Sequence, residues 1–299
     1  IGTDVCIYLR DFVLQGEIAR DVEGHLAGIF NANFQPDPRL TLAFIYRNYD
    51  KAFQNYHSNA FSENSGVYNE QGVYIGFRAS VAKQLELTGY ADYFLFPWFK
   101  YRVDGPSKGR EYFIRMDLLM DEKTRAYLRY RFEQKEINTK EENRKLNTLS
   151  PRKYHNVRMH FDYQPIEEWK FASRAEAIFN YTLEGNSRMG FLIYQDVTWQ
   201  PFRLPISISG RYALFDTETY DERLYAYEHD MLYSFSIPAY YYKGQRIYLI
   251  LKYSLYKNLN FWLRFASSIY WNKDEIGTGL EIIHGNTRSE IKAQLIWKF

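Results

Sequence analysis

The sequence predicts an all-β fold, an antiparallel transmembrane β-barrel of about fourteen to sixteen strands. Apolar and polar residues alternate along most of the chain, short and long connections alternate, and aromatic residues make up 19% of the 299 residues. Mean hydropathy is −0.49, and no stretch approaches the ~18 uncharged apolar residues of a membrane-spanning helix. A barrel reconciles these facts, because only every second side chain of its strands must face lipid.

Charge and composition exclude several classes of protein. The chain has 38 Lys and Arg against 36 Asp and Glu, a balance that argues against a nucleic-acid partner. A hydrophobic content of 46% argues against global disorder. The single cysteine, Cys6, excludes an intrachain disulfide and a cysteine-based metal site. Because the chain begins at Ile1 without a leader, we expect a processed chain or the C-terminal part of a longer one.

Alternation with a period of two predicts the strands. Residues 287–299 show it most clearly, since Ile291, Leu295 and Trp297 share one face while Lys292 and Gln294 share the other. The same pattern predicts thirteen strands, at 25–34, 40–49, 71–83, 85–99, 111–120, 125–136, 153–163, 169–180, 189–199, 203–214, 245–256, 259–271 and 287–299.

Residues 4–20 leave two alternatives, because the phase of the alternation reverses at Arg10–Asp11. A bulge there would give one long strand and fourteen in all. A tight turn would give two strands and fifteen in all. Bacterial single-chain barrels have even strand numbers, so fifteen would imply further strands upstream.

The lengths of the connections predict which rim of the barrel faces the periplasm and which faces the cell exterior. Short ones, rich in Pro and Asp, fall at 35–39, 84–86, 121–124, 164–168, 200–202 and 257–258, and long ones at 50–70, 102–110, 137–152, 181–187, 215–244 and 272–286. Outer-membrane barrels have short periplasmic turns and long extracellular loops. We therefore expect residues 1–299 to form one barrel domain in the outer membrane, in contact with lipid and lipopolysaccharide.

The connection 215–244 contains strand-like segments at Leu224–Tyr227 and Leu232–Ile237. The up-and-down order of the barrel closes only if they form a hairpin within one extracellular loop. The run Tyr240–Tyr242 is then expected at the outer rim, either as part of an aromatic girdle or as a platform for a ligand such as a glycan.

Alternation places charged residues of both signs on the predicted inner face. Arginine forks bind carboxylates in bidentate pairs, so this lining could rigidify the wall and narrow the bore. The other interpretation is a path for anionic or sugar solutes. The residues that would line it are Arg115, Arg129, Arg131, Glu133, Arg158, Arg174 and Arg211.

The chain ends on a strictly alternating strand with Leu295, Trp297 and a terminal Phe299. An aromatic C-terminus of this kind looks like the signal by which barrels are passed to the outer-membrane assembly machinery. We expect that machinery to be a partner of the last strand.

Four segments resemble a Bacteroidota outer-membrane barrel family that is usually annotated by an N-terminal helix-hairpin-helix region. They are Asn55–Phe77, Phe96–Gly109, Glu222–Arg246 and Gly285–Phe299. The resemblance spans most of the chain and implies a barrel in the outer membrane, but its motifs imply no biochemical role. The helix-hairpin-helix region is absent from this sequence, so the resemblance implies no DNA binding.

Two short runs bring chemically useful residues together. His57–Ser58–Asn59 contains hydrolase residue types, and Glu228–His229–Asp230 could hold a divalent cation; a solvated loop is the simpler interpretation of each. The sequence contains no nucleotide-binding or zinc-protease motif, so we expect no cofactor, no metal and no catalysis.

The leading hypothesis is a structural or accessory subunit of an outer-membrane assembly, which contacts other outer-membrane or surface proteins. The alternatives are a channel for small polar or anionic solutes and, third, a barrel enzyme.

Overall fold

The computed structural model describes residues 1–139, 147–181, 187–256 and 258–298. Its strands are β1 Gly2–Leu9, β2 Phe12–Arg20, β3 Leu26–Asp37, β4 Leu40–Tyr49, β5 Glu70–Ala82, β6 Leu85–Phe96, β7 Ser107–Asp121, β8 Thr124–Thr139, β9 Thr148–Ile166, β10 Trp169–Tyr181, β11 Ser187–Trp199, β12 Ile206–Thr217, β13 Leu224–Tyr225, β14 Ala239–Tyr240, β15 Lys243–Tyr256, β16 Leu259–Tyr270, β17 Glu275–Ile276, β18 Ile283–His284 and β19 Thr287–Trp297. Single 3₁₀ turns lie at Tyr220–Glu222 and Gly279–Glu281.

Fifteen of these strands form one sheet whose strand order follows the chain order. Two short hairpins, β13–β14 and β17–β18, are inserted between neighbouring strands of that sheet. Each of the thirteen strands predicted from alternation corresponds to one strand of the sheet. The connections predicted at 137–152, 181–187 and 257–258 fall partly outside the described residues.

The reversal of phase at Arg10–Asp11 is a tight turn, because β1 pairs antiparallel with β2 and Leu9 lies opposite Phe12. Arg10 has a φ of 45°, a left-handed conformation that helps the chain reverse within two residues. A two-residue reversal moves the apolar residues from odd to even positions without changing their face. The sheet therefore has fifteen strands, within the predicted range.

Two local predictions are wrong. The strand predicted to start at residue 203 starts at Ile206, because Pro205 has no backbone N–H to donate to the sheet. The strand predicted at 232–237 is mostly a turn, in which Ser234 N donates to Met231 O at 3.0 Å. The partner of Leu224–Tyr225 is instead Ala239–Tyr240.

The two faces of the sheet are inverted relative to a water-soluble protein. Leu249 and Ile193 are about half exposed, at 51% and 52%, whereas Arg47 and Arg264 are 0% and 1% exposed. Charged side chains are almost never buried in soluble proteins unless paired, and a continuous apolar outer face is stable only where lipid replaces water. This is the fold class of the antiparallel transmembrane β-barrels. Among the described residues, no helix has the length and apolarity to cross a membrane.

The chain divides into two compact units, which we describe separately. The first unit comprises Ile1–Asp117, Arg129–His155 and Asn180–Ser187, and the second comprises Leu118–Leu128, Asn156–Phe179 and Arg188–Phe299. The first unit contains an apolar cluster of Ala27, Tyr49, Phe53 and Val67. The larger cluster of the second unit includes Leu192, Phe215, Leu224 and Tyr240, so part of the 215–244 connection belongs to its core.

Candidate functional site

In the first unit, Arg47 of β4 holds two buried carboxylates. Its Nε donates to Glu70 Oε1 at 2.5 Å, and its Nη1 and Nη2 donate to the two oxygens of Asp92 at 2.9 and 3.1 Å. Gly72 lies opposite Arg47 in the register of β4 and β5, and a Cβ at Gly72 would collide with the guanidinium. The absence of a side chain there makes room for the fork.

Glu70 also draws the loop formed by residues 50–69 onto this face of the sheet. Its two oxygens accept hydrogen bonds from the backbone N–H groups of Glu63 at 2.9 Å and Asn64 at 2.8 Å. Tyr49 Oη donates to the carbonyl of Phe61 at 2.8 Å, and the Phe61 ring lies 4.9 Å from Arg47 Cζ. This long loop therefore folds over the buried charges instead of projecting away from them.

A second ion-pair network lies on β7 and β8 of the first unit. Arg131 donates from Nε and Nη2 to the two oxygens of Glu111 at 2.8 and 2.6 Å, and from Nη2 to Glu133 at 2.8 Å. Lys135 Nζ lies 2.5 Å from Glu63 Oε1, on the loop, and 3.3 Å from Glu133 Oε1. Arg131 and Glu133 were predicted to line a solute path. Their charges are paired with each other and with those of Glu111 and Lys135.

Lys100 lies in the connection between β6 and β7, with its Nζ 3.4 Å from the centre of the Phe96 ring. Burial, together with the charge of Lys135, lowers the pKa of Lys100 to about 8.

We expect the dimethylated Lys100 amine to titrate near pH 8 in an NMR experiment on the ¹³C-methylated protein. Because the folded protein releases this proton before the unfolded chain does, the contribution of Lys100 to stability rises with pH above about 8. A Lys100→Arg variant assigns the resonance, and a Lys100 titration near the ordinary lysine value of about 10.4 would contradict the prediction.

In the second unit, Glu176 of β10 is shared by two arginines. Arg158 donates from Nε and Nη2 to its two oxygens, both at 2.9 Å. Arg174 Nη2 donates to Glu176 and also to the carbonyl of Tyr225 at 3.0 Å. The second of these bonds ties the 215–244 connection to the sheet.

The remaining predicted path residues lie on three strands. Arg211 of β12 forms a bidentate pair with Asp196, with both distances 2.6 Å. Arg115 of β7 pairs with Asp117 two residues away, at 2.7 Å from Nε, and is partly exposed. Arg129 lies on β8, two residues before Arg131. Most of the predicted path residues are therefore engaged in ion pairs.

The most extensive network surrounds Glu228, in the segment of residues 218–242, which we call the inserted loop. The Glu228 carboxylate accepts from Arg246 Nε at 2.6 Å and Nη2 at 2.9 Å, and from Arg264 Nη2 at 2.6 Å. Tyr240 Oη, from the same loop, donates to it at 2.9 Å. Burial opposes ionisation of Glu228, but the hydrogen bonds from Arg246 and Tyr240 and the charge of Arg264 lower its pKa below the ordinary value.

Asp230 forms a second contact between the inserted loop and the sheet. Lys292 Nζ donates to Asp230 Oδ2 at 3.1 Å, and Arg264 Nε lies 3.7 Å from Oδ1. The next residue, Met231, packs into a buried cluster with Tyr248 and Trp262. Although burial opposes ionisation, the bond from the Met231 N–H and the charges of Arg264 and Lys292 lower the pKa of Asp230.

The run Tyr240–Tyr242, predicted at the outer rim as an aromatic girdle or a ligand platform, makes buried contacts in the structure. Tyr240 is buried against Phe215 with its hydroxyl on Glu228, and Tyr241 and Tyr242 are partly buried against the same cluster. Among the described residues, the exposed aromatic rings of this loop include Tyr233 and Phe235.

The two sequence runs considered for catalysis and cation binding, His57–Asn59 and Glu228–Asp230, make structural contacts instead. Ser58 Oγ donates to the carbonyl of Asn55 at 3.1 Å, so His57 and Ser58 do not form a nucleophile–base pair in the described part of the chain. The carboxylates of Glu228 and Asp230 face arginine and lysine. No group of three His, Cys, Asp or Glu residues that could hold a metal ion occurs within the described ranges.

Two of the three residues predicted to form an assembly signal, Leu295 and Trp297, lie on β19 and are exposed. The signal itself stays a prediction. Phe299 lies outside the described residues.

Sequence reasoning missed Glu63, and it considered Glu228 and Asp230 for a divalent cation instead of for the cationic side chains that they pair with. One signal could have indicated these pairs. Six of the seven predicted path residues are arginines, and buried cations require acids close to them, which loops as well as strands can supply.

Comparison with known proteins gives fold neighbours among solved structures. An anion-selective porin from Comamonas acidovorans is 9% identical, with a TM-score of 0.45 and 100% of both chains covered. The loop L8 deletion mutant of OmpT, an outer membrane protein of Vibrio cholerae, is 8% identical with a TM-score of 0.44, covering 99% of this chain and 89% of that one. The Pseudomonas putida toluene transporter TodX is 8% identical with a TM-score of 0.32, covering 99% and 86%. No family model and no curated protein matches the chain.

Proposed function

We propose that this chain is an outer-membrane β-barrel protein that is closed at rest by its own loops and acts as a non-catalytic structural or accessory subunit of an outer-membrane assembly. One observation carries the proposal. In each unit a loop carboxylate pairs with cations of the sheet: Glu63, which is partly buried, binds Lys135, and Glu228, which is fully buried, binds Arg246 and Arg264. This supports closure, because loops held in this way cannot withdraw from the sheet without breaking their ion pairs.

The proposed role also needs a surface for a partner. Tyr233 and Phe235, at the tip of the inserted loop, are largely exposed at 90% and 75%, and aromatic side chains are enriched at protein interfaces. We place the partner contact there.

A channel for small anions is the second candidate, favoured by the arginines of the sheet. Arg158 and Arg174 share one acid, Glu176, so the face that would line a path carries a local positive excess at these residues. A channel would require the loops to withdraw.

Conductance in planar bilayers separates the two candidates. We expect the full-length protein, shown by flotation to be inserted in liposomes, to give no steady single-channel current, because its loops are fixed to the sheet by buried ion pairs. A steady current from inserted wild-type protein would contradict closure and favour the channel.

The accessory role is tested by purification from membranes in a mild detergent. A stoichiometric partner should co-purify with the wild type and be lost in Tyr233→Ser/Phe235→Ser. The control Tyr56→Ser/Tyr101→Ser, at two other exposed loop tyrosines, should keep it. Equal recovery with both variants would contradict the assigned surface.

A further inference from the structure

Three cations of the second unit are arranged around the tip of the inserted loop. Arg246 on β15, Arg264 on β16 and Lys292 on β19 face Glu228 and Asp230. The sheet itself contributes one acid to this group, Glu290, which lies 2.7 Å from Arg264 Nη1 and 3.1 Å from Lys292 Nζ. Without the loop, these three cations would face a single carboxylate.

The inserted loop balances this excess of positive charge with two carboxylates, those of Glu228 and Asp230, which are separated by one residue. The first is held bidentately by Arg246 and by one nitrogen of Arg264, and the second by Lys292. Arginine forks recognise the planar carboxylate group, whatever molecule carries it. The arrangement is therefore complementary to any small molecule with two carboxylates at a similar separation.

The backbone of the loop tip is also bound to the sheet at His229, whose carbonyl accepts from Arg264 Nε at 3.3 Å and whose N–H donates to Tyr248 Oη at 3.4 Å. The base is anchored by Leu224 and Tyr240, which belong to the buried cluster, and the hairpin above it has a single bridge, Glu228 with Ser236. Beyond the acids, Gln294 Nε2 donates to the Leu232 carbonyl at 2.9 Å and Met231 fills its apolar cluster. Tyr233, with a φ of 65°, has the left-handed conformation that costs a side chain of this size conformational energy.

We propose that Arg246, Arg264 and Lys292 form a binding site for small dicarboxylates, and that Glu228 and Asp230 occupy it as a built-in competitor. A dicarboxylate takes the positions of the two loop carboxylates, and the tip, residues 228–236, moves away while its base stays packed. The loop acids and the ligand compete, so each lowers the apparent affinity of the other. The inference depends on the proposed function in one respect, namely that the inserted loop is bound to the sheet when no ligand is present.

Thiol labelling of the full-length protein in lipid tests the movement. In a Cys6→Ser background, Met231→Cys is buried while the tip is seated, so a maleimide should react slowly. Succinate should raise the labelling rate several-fold, whereas its uncharged analogue succinamide should not. Phe235→Cys, on the exposed side of the tip, should label rapidly under all conditions.

Removing the competitor tests the site. Glu228→Gln/Asp230→Asn should bind succinate at least several-fold more tightly than the wild type in calorimetry. The matched control Glu218→Gln/Asp221→Asn, which neutralises two exposed acids of the same loop, should leave the affinity unchanged. A further Arg264→Gln substitution in the first double variant should abolish the gain.

The proposal is overturned if succinate leaves the Met231→Cys rate unchanged and the neutralised variant, folded by circular dichroism, binds no succinate. Labelling and calorimetry report the loop and the site whether or not the protein conducts or has a partner. A conducting wild type would therefore contradict the proposed closure while these two measurements still decide the dicarboxylate site.

Discussion

Arg47→Ala will lower the free energy of unfolding in lipid by about 3–5 kcal/mol, the range measured when one partner of a buried ion pair is removed. Arg47, Glu70 and Asp92 are all buried, so the two carboxylates left behind cannot be solvated where they lie. Asp92 loses both of its bonds to the guanidinium. Urea titration of the protein in vesicles, monitored by tryptophan fluorescence, gives the free energy.

The matched control is Arg78→Ala in the neighbouring part of the same sheet. Arg78 pairs with Glu86 at 2.8 Å, but its side chain is 67% exposed, and such pairs contribute about 0–1 kcal/mol. If both variants lose the same free energy, the Arg47 cluster is not buried as described. The Arg47 variant should also release residues 50–69, which limited proteolysis would detect.

Leu249→Arg will destabilise the inserted protein by about 2–4 kcal/mol, the cost of a lipid-facing arginine at the bilayer midplane. Leu249 is in the middle of β15, opposite Gly210 and Phe265 on the adjacent strands, and its side chain lies on the exposed apolar face. An arginine there must extend through lipid to reach water. Equilibrium unfolding from vesicles measures the loss.

Leu280→Arg provides the control for that substitution. Leu280 is fully exposed in the connection between β16 and β19, where an added charge contacts water and should change stability by less than about 0.5 kcal/mol. Unchanged stability of Leu249→Arg would mean that this face does not contact lipid, and the inverted sheet would need another explanation.

The strands were predictable because alternation is a local property. Ile247 and Leu249 on one face, and Arg246 and Tyr248 on the other, alternate within a single strand, and no distant residue is needed to assign them. The start of β12 could also have been predicted from local sequence. Pro205 has no backbone N–H to donate to the sheet, so a strand that begins at residue 203 would lack a hydrogen bond at Pro205. The turn at Arg10 was not decided by the sequence, because a bulge and a two-residue turn both reverse the phase.

The sequence predicted that the arginines of the candidate site would pair with acids, but it did not predict which acid each arginine would bind. The residues of the inner face indicated that arginines would pair with acids, and Arg211 with Asp196 shows the pairing of neighbouring strands. The partner of each arginine depends on strand register, and register is set by the whole sheet. Glu228 could not be assigned to Arg246 and Arg264, since it lies outside the predicted strands and therefore has no strand register.

The sequence by itself determined the fold class, the number of strands to within one, and which side chains share a face, because a pleated strand sends successive side chains to opposite sides. Only the tertiary structure decided that residues 50–69 and 218–242 fold onto the charged face. Their position depends on long-range electrostatics, in which buried cations on several strands require carboxylates that no local pattern specifies. The same three-dimensional arrangement places Glu228 and Asp230 where a dicarboxylate would bind.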